Sequence, residues 1–472
     1  MFAPPTTASV RQRFRADARA ILRLAGPLMA NNLAVAGMSF TDTVMAGQLS
    51  ARDLAAVAIG SAFHVFFYLT GLGILMAMSP LVAHAYGAGQ NQRVGSLARQ
   101  ALWLSQAIAL ALIVPMLFVK PILLSIGIAP DIVPKASGFV YAICCGVPGV
   151  MAFLALRFVS EGIGWTKPIM YTALVGLVAN VAGCYVFMYG KLGAPALGAV
   201  GTGVSSALVM WLMFFVMLAY VRRHRVYRPF TLLTRFERPN PAIVREILAL
   251  GLPICGSVIS EGALFVAAAF IMGAMGETAV AAHQIAINYA ALMFMIPLSL
   301  HSATTIHVGH ALGAGRPAAG RLAGFVGIAL CGGFMACSAV AIVFLGEHIA
   351  ALYTQDEGVR TVAAGLLLMA AIFQVSDGLQ IGSAGALRGF KDAHIPMLLA
   401  LFAYWVIGFP LAYGLGVARG LGPTYVWVGL IAGLTTCAAL LNVRYFVISG
   451  RAVTAGPPRY PPRRLEPQRD DS

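Results

Sequence analysis

Charge is what this 472-residue chain has least of. Asp, Glu, Lys and Arg make up 10% of it and apolar residues 59%, with a mean hydropathy of +0.83, and no water-soluble core of this size needs so much apolar surface. Alternating segments of about ten residues, the signature of a transmembrane barrel, are lacking. No glycine-rich loop leads into Lys and Ser or Thr, and the Gly87–Gly89 corner has neither the length nor the lysine of a P-loop, so ATP hydrolysis is excluded. The seven cysteines (Cys144, Cys145, Cys184, Cys255, Cys331, Cys337, Cys437) are odd in number, sit inside apolar runs and lack metal-ligand spacing. They read as free packed thiols. His301, His307 and His310 do not share a helical face, which argues against a metal centre there.

Apolar runs of more than about 18 residues recur throughout, and in lipid the helix satisfies every backbone group without help. The fold class is therefore an all-α polytopic membrane protein. Twelve helices are predicted: Ile21–Gly47, Leu54–Ser79, Leu97–Val119, Ala136–Leu156, Pro168–Tyr189, Leu197–Val221, Ile247–Gly273, Ala281–Thr304, Leu322–Leu345, Val362–Gly385, Pro396–Gly416 and Val426–Ile448. The first is preceded by Arg11, Arg13, Arg15, Arg19 and Arg23, and is too long for a removable signal.

An even number of spans leaves both termini on one side. All but Arg52, Lys120, Lys135, Lys191, Arg360 and Arg419 of the 32 Lys and Arg fall on that side, which the positive-inside rule makes cytoplasmic. The net charge of +15 is thereby spread over short loops and tails facing anionic membrane lipid, and no nucleic-acid partner is expected. The organisation expected is a cytoplasmic tail (1–20), a first lobe of six helices (21–221), a basic linker rich in Arg and Pro (222–246), a second lobe (247–448) and a cytoplasmic C-terminal tail (449–472).

The two lobes are copies. Laying Pro27 onto Pro253, a shift of 226 residues, superposes PLMANNLAVAGMSF on PICGSVISEGALFV without a gap and brings His84-Ala-Tyr-Gly87-Ala88-Gly89 over His310-Ala-Leu-Gly313-Ala314-Gly315. Six helices per copy give both the same direction of entry, so the repeat is parallel and its axis runs along the membrane normal, with a cleft between the halves.

Asp42, Glu261 and Asp377 are the acids that fall well inside predicted helices. A carboxylate at that depth costs a few kcal/mol or more, so each needs a partner or a use. One reading is a structural acid satisfied by neighbouring hydroxyls or backbone. Three of them, with no intramembrane Lys or Arg beside them in sequence, favour cation handling. Asn31, Val35, Met38 and Asp42 share one helical face. In the second copy Glu261 matches Val35, so the two acids differ in depth by seven residues, about 10 Å. Two carboxylates facing one cavity cannot both ionise cheaply, which makes Glu261 with Asp377 a candidate pair for exchanging a cation. Asn31, Asn32, Asn180, Gln284, Asn288 and Gln374 are the other polar positions, either interhelical hydrogen-bonders or the polar lining of a cavity.

With these residues in view, DTVMAGQLSARDLAAVA, the two GAG corners, AAHQIAINYAALMFMIPLSL and ALRGFKDAHIP together resemble the multidrug and toxic compound extrusion (MATE) family, in its bacterial NorM-like branch. The resemblance spans nearly the whole membrane part. It implies a secondary antiporter, not an enzyme and with no cofactor, that exports small organic cations and drugs from a bacterial inner membrane in exchange for H+ or Na+, working as a monomer. It places an N-lobe proton or substrate site at Asp42 with Asn180 and a coupling-cation site at Glu261 with Asp377. Where some relatives carry a second Asn this chain has Cys184, and where some carry Tyr near the second-lobe acids Phe373 and Phe294 stand. Both changes remove coordinating oxygen, which weakens an Na+ reading and leaves H+ open. A lipid-linked oligosaccharide flippase of related plan would want a basic cleft. An intramembrane lipid-modifying enzyme would want clustered carboxylates or a His/Asp set, which the scattered acids do not offer.

Overall fold

The computed structural model describes residues 10–193, 195–232 and 237–456. The outer parts of both expected tails and four linker positions, Arg235 among them, lie outside the described residues. Among the described residues ten helices are long and apolar enough to cross a bilayer: α2 (Ala51–Gly87), α3 (Asn91–Leu117), α5 (Lys167–Tyr189), α6 (Ala199–Arg223), α7 (Pro241–Ala274), α8 (Glu277–Gly313), α9 (Pro317–Tyr353), α10 (Glu357–Gly389), α11 (His394–Ala418) and α12 (Pro423–Ala455). A pair, Val133–Cys144 and Val147–Gly162, bent by 48°, forms α4. The first helix, α1 (Val10–Leu49, 40 residues), is the twelfth. Arg11, Arg13, Arg15, Asp17, Arg19 and Arg23 in its first turns, with Asn31, Asn32 and Asp42 further on, make it the least apolar of the set, yet at 1.5 Å per residue it is about 60 Å long, ample to span.

The helices run past their expected ends, α1 starting eleven residues before Ile21, α7 at Pro241 and α12 reaching Ala455. The linker also holds a 3-10 turn, Arg225–Phe230. Hydropathy marks where a helix leaves the apolar layer, whereas the hydrogen-bond ladder continues into water until a cap stops it. The bend in α4 falls at Cys145 and Gly146, where Pro148 has no N–H to give back to the preceding turn. A short helix, Val119–Ser125, was not expected from sequence. At the far corner Ser50 caps α2, and the buried Asp53 one turn on takes Lys135 Nζ at 3.0 Å and the Ala199 N–H at 3.0 Å, tying α2, α4 and α6 together.

Each lobe has its own core, around Phe139, Met116 and Leu154 in the first and Trp427, Tyr404 and Tyr445 in the second. A third cluster packs Ile21 and Ala25 of α1 on Leu300, Ala303 and Ile381 of the second lobe. Contacts between lobes gather at the end that bears the basic loops. There His307 on α8 meets Asp17 on α1 at 2.9 Å, and Arg93 on α3 meets Glu246 on α7 at 2.8 Å.

The seam at that end has the symmetry of the repeat. His84 Nε2 lies 2.7 Å from the Gly389 carbonyl oxygen, and His310 Nε2 lies 2.7 Å from that of Gly162. A Cβ on Gly87 would strike the His310 carbonyl oxygen, and one on Gly313 the His84 carbonyl oxygen. The closing glycines of both corners, Gly89 and Gly315, take the same left-handed φ of 69°. Toward the other end Phe40 is 70% exposed and Gly262, Gly273 and Gly276 have open space where a side chain would go. The lobes are closed on each other at the basic end.

Candidate functional site

The first lobe brings Asp42 and Asn180 together from α1 and α5, with Asn180 Nδ2 donating to Asp42 Oδ1 at 3.0 Å. The Cys184 thiol, one turn further along α5, donates to the same oxygen at 3.2 Å. Asn180 is 2% exposed and its Oδ1 has no hydrogen-bond partner. The Cys184 reading needs correction on this point. It is packed and free, as expected, but its thiol belongs to the carboxylate's donor set, because residues four apart on α5 stack on one face.

In the second lobe α10 carries a polar stripe at Gln374, Asp377 and Gln380, continued three turns beyond Asp377 by Arg388. Gln374 is fully buried and Asp377 is 4% exposed. Asp377 Oδ1, Gln374 Oε1 and Gln380 Oε1 are buried without a hydrogen-bond partner. Three orphaned acceptor oxygens on one helix face suit a proton, a small cation or a bound water, since buried polar atoms are otherwise nearly always paired. Glu261 on α7 is half-buried and lies within electrostatic reach of Asp377. It lines a cavity of about 40 Å³ with Gln380, Arg388 and Tyr404. That volume admits a water or an ion and no drug-sized ligand. Gln380 Nε2 donates to the Tyr404 hydroxyl, which a wide helical turn in α11 (Ala403–Gly408) presents to it.

An aromatic layer roofs the acids on the side away from the basic end. Phe265, one turn along α7 from Glu261, meets Phe373, one turn before Asp377, edge-on at 5.9 Å; Phe373 meets Trp427 at 5.6 Å. Trp427 Nε1 donates to His283 Nδ1 at 3.2 Å. Phe373 is 2% exposed and part of this layer.

The remaining sequence candidates are scattered. Asn31 is fully buried and donates to Asn32 Oδ1 at 3.1 Å, and Asn32 Nδ2 crosses the seam to Ser299 Oγ at 3.0 Å. Gln284 and Asn288 are exposed one turn apart on α8 and do not join the acids. Three charged residues were not singled out in the sequence. Arg157 and Glu161 form a buried ion pair at 2.9 Å near the end of α4. No Lys or Arg stands beside the acids in sequence, but Arg388, far from Glu261 along the chain, lines the same cavity.

The repeat has a direct counterpart in a known family. The MatE family profile matches the chain twice, over residues 27–186 and 253–414, starting at the two prolines that the repeat superposes. The chain belongs to the MatE family. It is 41% identical to the probable multidrug resistance protein NorM of Xanthomonas campestris pv. campestris, over 97% of this chain and 99% of that one. It is 40% identical to the multidrug resistance protein PmpM of Pseudomonas aeruginosa, over 94% of each. Its fold matches a crystal structure of MATE in the bent conformation with a TM-score of 0.86 at 21% identity, covering 95% of this chain and 99% of that one. As a MatE protein it is a multi-pass membrane transporter and not an enzyme, with twelve helices in two lobes whose parallel relation the reciprocal His84 and His310 contacts make visible.

Proposed function

We propose that this protein exports small organic, mostly cationic compounds, drugs included, from the cytoplasm of a bacterium across its inner membrane, driven by entry of H+ or Na+. Both termini and the linker between the lobes are taken to face the cytoplasm, where the basic loops sit. The relatives' multidrug-resistance names support the substrate class. The observation that carries the reading is the pair of half-buried Glu261 and buried Asp377 on two helices, beside orphaned acceptor oxygens and in a lobe separate from Asp42.

In this scheme the seam at the basic end is the closed cytoplasmic gate and the lobes part outward. An external H+ or Na+ passes the Phe265–Phe373 layer to Glu261 and Asp377, neutralises them and favours the inward-facing state; the next cationic substrate competes for the same negative charge. No cofactor is needed, because an ion crossing 100 mV supplies about 2.3 kcal/mol. Asp42 with Asn180 is the first-lobe proton or substrate contact. Gln284 and Asn288 line the route, Gln374 supports the cation site, and one monomer suffices. The test is efflux of ethidium from proteoliposomes under an imposed pH gradient and, separately, an imposed Na+ gradient. Efflux driven by neither gradient refutes the proposal.

A further inference from the structure

Arg388 ends the polar stripe of α10 in an unusual way. Its guanidinium Nη1 lies 2.9 Å from His301 Nε2 and 3.8 Å from Met76 Sδ across the seam. His301 Nδ1 lies 2.8 Å from the Ile381 carbonyl oxygen. A carbonyl only accepts, so Nδ1 carries the hydrogen and Nε2 offers a lone pair to Arg388. Neither His301 in that tautomer nor a thioether balances a positive charge. Asp392 lines the same cavity, but its Oδ2 is held by Arg444 Nε at 2.8 Å. No carboxylate among the described residues comes within ion-pair distance of Arg388, and Glu261, across the small cavity, is the acid it interacts with electrostatically.

Counting the fixed charges gives a result. Glu261 and Asp377 contribute two negative charges, Arg388 one positive, and Asp392 with Arg444 none. We propose that Arg388 is the resident counter-cation of the Glu261 and Asp377 pair, so that a single monovalent cation completes the charge of the second-lobe site. Only the identification of that cation with the coupling ion rests on the export reading; the charge balance stands without it. Arg388 acts through Glu261 and is a positioning residue. The other titratable groups facing the pair are Tyr404 on α11, Cys437 on α12, Cys331 on α9 and His301 on α8. None of the four carries a formal charge near neutral pH in the arrangement described.

The test needs no substrate. Full-length protein purified in detergent is melted between pH 5 and pH 9, with protons as the probe ligand, for wild type, Arg388→Gln, Arg388→Lys, Glu261→Gln and the double variant Glu261→Gln/Arg388→Gln. Arg388→Gln is expected to melt several degrees below wild type at pH 8 and to recover as pH falls and the extra proton binds. Arg388→Lys keeps the charge and stays near wild type. The double variant, with its charge balance restored, melts within about two degrees of Glu261→Gln at pH 8, a rescue that loss of the His301 and Met76 contacts would not give. A double variant that purifies where Arg388→Gln does not is the same rescue. The proposal is overturned if the double variant is as unstable as Arg388→Gln, if neither purifies, or if Arg388→Gln matches wild type at every pH. Failure of ethidium export in proteoliposomes bears on the transport reading alone.

Discussion

His84 donates from Nε2 to the carbonyl oxygen of Gly389 in the opposite lobe, at 2.7 Å, and His310 repeats that bond to Gly162 in the reverse sense. The internal duplication thus supplies both halves of one closure, each lobe holding the helix end of the other. A hydrogen bond of this kind contributes about 1 kcal/mol net. Replacing either histidine by alanine is expected to shift the closed-to-open ratio at this end by roughly fivefold, and the pair by more. Distance distributions between spin labels placed on the two lobes beside the seam check this, and an unchanged distribution in the double variant refutes it.

The glycines of the seam are held to a stricter condition. A methyl group on Gly87 or Gly313 meets backbone oxygen of the facing helix, which has no rotamer to yield. Gly313→Ala should disfavour the closed arrangement more than His310→Ala does and depress efflux correspondingly, while Gly262→Ala, which points into open space, is the control expected to leave the seam unchanged. The same label distances report the ranking.

In the first lobe Asp42 Oδ1 is shared by Asn180 and Cys184. Hydrogen bonds to charged groups contribute about 1.5–3 kcal/mol, with thiols at or below the low end. Asn180→Ala is expected to lower ethidium efflux about tenfold or more, Cys184→Val by severalfold, and Cys184→Ser to stay near wild type. Efflux at wild-type rate in both Asn180→Ala and Cys184→Val contradicts a role for this cluster.

Glu237, in the linker, accepts from Ser96 Oγ at 2.7 Å and Arg99 Nε at 2.7 Å. The Ser96 hydrogen bond, with the Arg99 contacts, outweighs partial burial and holds its carboxyl below the ordinary glutamate value. The sign follows from linkage: the folded carboxyl is the stronger acid, so its contribution is present above the ordinary value and lost as pH falls through the depressed one. Hydrogen exchange of the linker amides should therefore speed up as pH is lowered through the carboxylate range, after correction for intrinsic rates, and Glu237→Gln should abolish that dependence.

Much of this architecture was legible in the sequence because bilayer physics is strict. A run of apolar residues, a basic corner and a repeat at constant offset leave few alternatives, and helix positions followed from them. The pairing of Asp42 with Asn180 was supplied by the family resemblance, since nothing in their spacing joins two helices. Helix ends were not legible, because Val10 to Arg23 continues the ladder with charged residues that hydropathy reads as loop. Cys184 was misjudged for a similar reason: a thiol in an apolar run looks like packing until the helix opposite supplies a carboxylate. Arg388 escaped notice because its relation to Glu261 spans α7 and α10, although its eleven-residue spacing from Asp377 was a signal available on one helix.

The account turns on Glu261 and Asp377 as the place where an ion gradient is coupled to export. The most direct measurement is ethidium efflux from proteoliposomes under an imposed pH gradient and under an imposed Na+ gradient, for wild type, Glu261→Gln and Asp377→Asn at matched levels of reconstituted protein. At least one gradient is predicted to drive efflux by wild type, with that gradient dependence lost in both amide variants. Gradient-driven efflux at the wild-type rate in both variants would contradict it.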